Sequence, residues 1–208
     1  FLFPSLIIRN PKPLKSSAGF DAIAQSVESL ISIKSNKTSL YYAKKSLELS
    51  LTSYLPFIKK PNLENSNKML ISSNLAGKAI NISKTTAPHA VSYPFSSMFG
   101  ISHGHAVSLT FEKFLLFNYL NLNRSLSSFN LNNRYKIIFK LFKVKNINEL
   151  CQKIKYIKYQ ANLSDSFTKL GINISSSSDK ILNQVNTIRL KNNPVMLTKN
   201  DIRKILND

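Results

Sequence analysis

An all-α helical bundle is the fold predicted for this 208-residue chain, on three observations. Apolar residues recur at three- and four-residue spacing through most of it, no stretch alternates with period two, and 43% hydrophobic residues suffice for a buried core. With no internal repeat to suggest a solenoid, the pattern predicts a bundle of about seven to nine helices.

The elements follow in order. Residues 1–17 carry Pro4, Pro11 and Pro13, which oppose helix, so this stretch is expected as an extended connector. Ser16 or Ser17 then caps a helix over 18–33, where Phe20, Ile23, Ala24, Val27, Leu30 and Ile31 mark one face. Ser35-Asn36-Lys37-Thr38 reads as a turn, a second helix runs over 40–55 until Pro56, and a third covers 63–82. From 83 to 104 the pattern loosens, with Pro94 breaking a short apolar piece and Gly100 and Gly104 bracketing a loop. Helical spacing resumes over 107–119, 134–142, 147–159, 178–189 and 199–206, with polar connectors at 121–128 and 175–178.

Composition excludes several classes of function. The charge of +19 comes from 29 Lys and Arg against 10 Asp and Glu, and only five of the cations are Arg. A lysine-driven excess describes a cationic surface better than the bidentate readout that Arg provides. Arg134, Lys136, Lys140, Lys143, Lys145, Lys153, Lys155 and Lys158 are read as a solvated helix face, because the interleaved aromatics fall at core spacing; no specific nucleic-acid partner is expected. The five glycines assemble no GxGxxG or GxxxxGK[ST] phosphate cradle. The apolar runs are too short to span a bilayer, so no membrane partner is expected. A single cysteine, Cys151, rules out an internal disulfide and a cysteine zinc cage, in keeping with a cytoplasmic setting.

All three histidines, His89, His103 and His105, fall within one 17-residue window. Imidazole suits Zn²⁺ or Fe²⁺, a catalytic ion typically takes three protein ligands, and the usual third is a carboxylate. Asp21 and Glu28 on the first long helix are the best placed acids, with Gln25 on the same face as Asp21. From the residues alone two readings stay open. Either Asp21, His89 and His103 hold an ion, or Asp21 is an exposed acid near a helix start and the histidines are loop residues bonded to backbone.

Four segments resemble the C-terminal domain of iron-containing (group III) alcohol dehydrogenases: SAGFDAIAQSVES (17–29), NLAGKAIN (74–81), APHAVSYP (87–94) and GISHGHAVSL (100–109). The closing LKNNPVMLTKNDIRKIL (190–206) extends the likeness from about residue 4 to the end, and KTTAPH (84–89) with GHAV (104–107) is most similar to the phosphonoacetaldehyde reductase subgroup. The resemblance implies an all-α bundle of the dehydroquinate synthase-like type over 18–208. It also implies a separate N-terminal nucleotide-binding domain that carries most of the NAD(P) contacts, making this chain a fragment inactive alone.

The family's metal motif maps onto Asp21, His89 and His103, with Gln25 standing where many members have a further ligand. Fe²⁺ or Zn²⁺ is the implied ion and an aldehyde or alcohol the implied substrate, with a homodimer as a further expectation. Tyr93 stands where many members keep another active-site histidine, His105 is expected to contact a ligand or the substrate, and Lys84 is expected to bind an anionic group such as a phosphonate. Two rival readings are a dehydroquinate synthase-like lyase, which is expected to have Glu at position 21 and more Arg, and a non-catalytic basic helical remnant.

Overall fold

The computed structural model describes residues 2–207. Twelve α-helices follow one another: α1 (Pro4–Ile8), α2 (Lys12–Ile31), α3 (Lys37–Lys59), α4 (Leu63–Ser83), α5 (Ala87–Phe99), α6 (His103–Ser108), α7 (Phe111–Leu120), α8 (Leu131–Phe142), α9 (Ile147–Gln160), α10 (Ile174–Asn183), α11 (Thr187–Leu190) and α12 (Lys199–Asn207). Among the described residues there is no strand, only an isolated bridge between Ser125 and Val195. No helix among the described residues is long and apolar enough to cross a membrane.

The helix number exceeds the expected one because two predicted helices are broken and two more, α1 and α5, form where a connector and a loosened stretch were expected. The stretch 107–119 divides at Leu109-Thr110 into α6 and α7, and 178–189 divides into α10 and α11. Prolines account for the other differences. Residues 4–8 and 12–17 are helical instead of extended, because Pro4 and Pro13 occupy first-turn positions, where no amide bond is lost. The buried Lys15 then donates from Nζ to the Ile8 carbonyl at 2.6 Å, tying α1 to α2. Ser16 and Ser17 lie inside α2, so neither caps it. Pro56 does not stop α3, whose last turn is held by burial of Phe57 and Ile58. Pro94 likewise sits inside α5. A proline there frees the carbonyl four residues earlier, and that carbonyl, of Ala90, accepts the Asn186 N–H at 3.1 Å from the start of α11.

Two apolar cores result. Phe20, Val27, Leu47, Tyr54, Tyr135 and Leu150 belong to one, built mainly from α2, α3, α8 and α9. Phe95, Ala106, Leu109, Phe114, Ile181 and Ile205 belong to the other, built from α5, α6, α7, α10 and α12. Buried serines let α2, α3 and α4 pack closely: Ser26 Oγ donates to Ser46 Oγ at 2.7 Å, and Ser72 Oγ to the Ser46 carbonyl at 2.9 Å. Gly104 performs the same service where α6 crosses α2. A Cβ at this position would stand 2.0 Å from the Ser17 carbonyl oxygen and 3.0 Å from Asp21 Cβ. Only glycine admits that approach, which seats α6 on the side of α2 that carries Asp21. The seam between the two cores is therefore lined by α2, α5 and α6.

Candidate metal centre

Three side chains meet at this seam. Asp21 projects from the middle of α2, His89 from the first turn of α5, and His103 opens α6. One ligand atom of each lies within 4.8 Å of the other two. Asp21 Oδ1 is 3.1 Å from His89 Nε2 and 3.8 Å from His103 Nε2, and the two imidazole centroids are 5.3 Å apart. Ligands of one ion at about 2.0–2.2 Å stand no more than roughly 4.4 Å from each other, so small side-chain movement closes this set on an ion. His103, with 45% of its side chain exposed, opens the cluster to solvent, whereas His89 is 2% exposed.

The surrounding residues fix how these donors point. Gln25, one turn after Asp21, donates from Nε2 to Asp21 Oδ2 at 2.7 Å, which leaves Oδ1 for the histidines. Glu28 is fully buried behind His89 and bonds its Nδ1 through Oε2. Its Oε1 accepts Thr86 N–H and Thr86 Oγ1–H, both at 2.9 Å, and the His89 N–H at 3.4 Å. Four donors and the N-terminal end of α5 together stabilise a carboxylate that would otherwise be costly to bury. With Nδ1–H directed at Glu28, a neutral His89 presents the Nε2 lone pair toward Asp21, the arrangement of a metal-bound histidine backed by a carboxylate.

Charge at the site follows from this packing. Burial pulls the His89 pKa down, but the Glu28 charge and the hydrogen bonds from Asp21 and Glu28 more than offset it and raise the pKa to about 9. Without an ion, the two carboxylates recruit a proton onto His89. His103 moves down, because burial, the His89 charge and the Arg189 charge outweigh the pull of Asp21 and Glu28. An oxygen donor and two imidazole nitrogens facing inward, with excess carboxylate charge behind them, fit a borderline divalent cation such as Zn²⁺ or Fe²⁺.

The other residues singled out from sequence lie at graded distances. The Tyr93 ring, one turn beyond His89 on α5, has its centroid 6.1 Å from that of His103. His105 sits two residues past His103, but its Nε2 is 2.9 Å from the Ser164 carbonyl and its N–H bonds Ser17 Oγ at 3.2 Å. Those bonds lock α6 in place and leave the ring outside the three-residue cluster. Lys84 ends α4 with φ 60° and ψ 172°, and its exposed Nζ donates to the Asn81 carbonyl at 2.7 Å. The Lys158 ammonium, read from sequence as part of a solvated face, is completely buried, 2.7 Å from Glu112 and 2.6 Å from Asp165. The reason is that α9 turns this position toward the Ser108 carbonyl, which Nζ reaches at 2.9 Å.

Of two further neighbours, Glu28 was singled out from sequence as a candidate acid and Arg189 was not. The spacing of Asp21, Gln25 and Glu28 at i, i+4 and i+7 is the signal that puts all three on one helical face. Arg189 on α11 reaches Thr85 Oγ1 at 2.6 Å and stacks 5.3 Å above the Tyr93 ring, a contact across 104 residues that no local pattern announces.

Residues 15–208 match the sequence profile of the Fe-containing alcohol dehydrogenase family, C-terminal part. The 4-hydroxybutyrate dehydrogenase of Clostridium kluyveri is 30% identical over 115 residues, covering 54% of this chain and 31% of that protein. The phosphonoacetaldehyde reductase of Streptomyces viridochromogenes is 25% identical over 120 residues, 57% of this chain and 30% of that protein. In three dimensions the fold superposes on sulfoacetaldehyde reductase from Bifidobacterium kashiwanohense, solved in complex with NAD⁺. The TM-score is 0.84 at 23% identity, over 98% of this chain and 52% of that one. The chain thus spans about half of the solved structure, and the matched stretch is about a third of each curated relative.

Proposed function

The chain belongs to the Fe-containing alcohol dehydrogenase family through its C-terminal part, and from that premise we propose that it forms the metal-binding half of an active site that interconverts an aldehyde and an alcohol with NAD(P). Asp21, His89 and His103 hold one divalent ion, Fe²⁺ or Zn²⁺. When bound there, such an ion would supply Lewis acidity, worth several kcal/mol of charge stabilisation at a carbonyl oxygen. The nicotinamide dinucleotide is held mainly by a nucleotide-binding domain outside these residues, a reading supported by this chain's covering only 52% of a related reductase solved with NAD⁺.

The chain's own residues prepare the site. Glu28 keeps Nδ1 of His89 protonated and Nε2 free, and Gln25 turns Oδ1 of Asp21 inward. His89 is sealed between α2 and α5, while His103 stands at the opening where a small substrate enters. Tyr93, with its ring centroid 6.1 Å from that of His103, is assigned to the substrate side of the opening, where its phenol is one available hydrogen-bonding group.

The convergence of Asp21, His89 and His103, backed by Glu28, carries this reading. Elemental analysis of protein dialysed against Zn²⁺ or anaerobically against Fe²⁺ is expected to find one ion per chain. Substituting any one of the three ligands by Ala is expected to bring retention close to background. Full retention by all three variants would sink the assignment.

A further inference from the structure

We infer that Arg189 forms an anion subsite beside this centre, so that the aldehyde it takes carries an oxyacid group such as a carboxylate, phosphonate or sulfonate away from its carbonyl. The inference rests on the metal-centre reading for the position of the carbonyl, and on Arg189 for the rest.

The guanidinium is positioned from both sides. Its Nη1–H donates to Thr85 Oγ1 at 2.6 Å, and Thr85 is itself 1% exposed and held through its carbonyl by Asn192 Nδ2 at 3.1 Å. The plane lies over Tyr93 with Cζ 5.3 Å from the ring centroid, and that ring is 6.1 Å from His103. Short α11 is anchored at its start by the Asn186 N–H on the Ala90 carbonyl, the acceptor released by Pro94. A proline kink in α5 and a helix that carries one arginine are thus built as a unit.

What this arginine lacks is a counterion. Arg124 pairs with Asp201 at 3.0 Å and Arg203 pairs with Asp179, whereas Arg9, Arg134 and Arg189 have no carboxylate within salt-bridge distance among the described residues, and of these three Arg189 is the one held over Tyr93 beside His103. A guanidinium presents five N–H donors in a planar fork, and here one bond to Thr85 accounts for its side-chain partners. Asp21 and Glu28 balance the two charges that a divalent ion would bring, so with the ion in place the Arg189 charge beside it is left for an arriving anion. A fork with free donors beside a carbonyl-polarising centre matches the planar or trigonal oxygens of carboxylate, sulfonate or phosphonate. Lys84, the cation expected from sequence to play this part, has its Nζ on the Asn81 carbonyl.

The test uses the full chain, with propylphosphonate and butyrate as anionic probes, butyramide as the neutral control, and isothermal titration calorimetry as the readout. Both anions are expected to bind one per chain more tightly than butyramide. Arg189→Gln is expected to weaken them by roughly 10–100-fold, and Arg189→Lys by less, because it keeps the charge and loses the fork. Thermal melts followed by circular dichroism check that both variants fold, and d–d absorption of added Co²⁺ reports the metal site independently. Unchanged anion affinity in folded Arg189→Gln, or a parent chain that takes up Co²⁺ but no anion, overturns the inference and leaves the metal reading standing. Arg189-dependent anion binding without Co²⁺ uptake keeps the subsite and removes the metal reading. If Arg189→Gln weakens ADP-ribose but neither small anion, the arginine serves the dinucleotide and the inference fails.

Discussion

The two ends of α6 meet two pairs of carboxylates, each with one buried member, that are neutralised in opposite ways. At its C-terminal end the Ser108 carbonyl accepts Lys158 Nζ, which also reaches Glu112 and Asp165, so that a cation of the chain's own fills the space between acids. At its N-terminal end His103 joins Asp21, His89 and Glu28, where the partners are imidazoles with one face turned inward. Of only 10 acids in the sequence, four are committed to these two places. The first cluster is complete as it stands, with Lys158 and Glu112 fully buried and only Asp165 reaching solvent. The second is open at His103 and takes its cation from outside, a proton on His89 or a metal ion. A closed ion cluster holds helices together; an open one is a binding site.

The largest expected effect breaks the closed cluster. Lys158→Ala leaves Glu112 buried without its partner and is expected to cost about 3–5 kcal/mol in urea unfolding, with metal uptake retained. Asp21→Asn in metal-free protein is expected to change stability far less while abolishing uptake. Equal losses for the two variants would erase the distinction.

Glu28→Gln keeps the shape and removes the charge behind His89, so Zn²⁺ affinity measured with a competing chelator should fall by about 10–100-fold. Gly104→Ala forces α6 off α2 and is expected to cost about 1–3 kcal/mol, together with a weaker metal site. Wild-type stability in that variant would mean that α6 is free to shift.

The pH dependence sharpens the same contrast. The His89 pKa is raised from 6.5 to about 9 in the folded, metal-free protein, so its contribution to stability is complete below pH 6.5 and is lost as pH rises through 9. The proton competes with the ion, so metal binding should tighten with rising pH across that window. A flat profile would show that His89 carries no proton to displace. The smallest effect concerns Cys151, which lies next to the closed cluster with Sγ 3.7 Å from the Glu112 carbonyl. Burial and the Glu112 charge push its pKa up to about 11 against Lys155 and Lys158, so iodoacetamide should label it slowly at pH 8 in the native protein and quickly in urea.

Much of this was readable in the sequence, and the failures share a cause. Helical periodicity located α2, α3, α4, α8, α9 and α12, because each buries a wide face against neighbours. Proline was misread at 4, 13, 56 and 94, since its effect depends on where the displaced hydrogen bond goes: nowhere needed at a first turn, or to Asn186 for the Ala90 carbonyl. Asp21, His89 and His103 stood out because histidines and acids are scarce here, and the structure brings them together. Their supports were less visible. Glu28 was named as a candidate acid, but its place behind His89 depends on a contact 61 residues distant, and Lys158 and Arg189 depend on contacts 46 and 104 residues distant along the chain.

Anomalous diffraction at the zinc edge, on crystals of the chain grown with Zn²⁺, tests the central claim most directly. A single strong peak at about 2.0–2.2 Å from Asp21 Oδ1, His89 Nε2 and His103 Nε2 is predicted, with Glu28 still on His89 Nδ1. A chain that crystallises in this fold with zinc elsewhere, or with no peak between those three side chains, would contradict it.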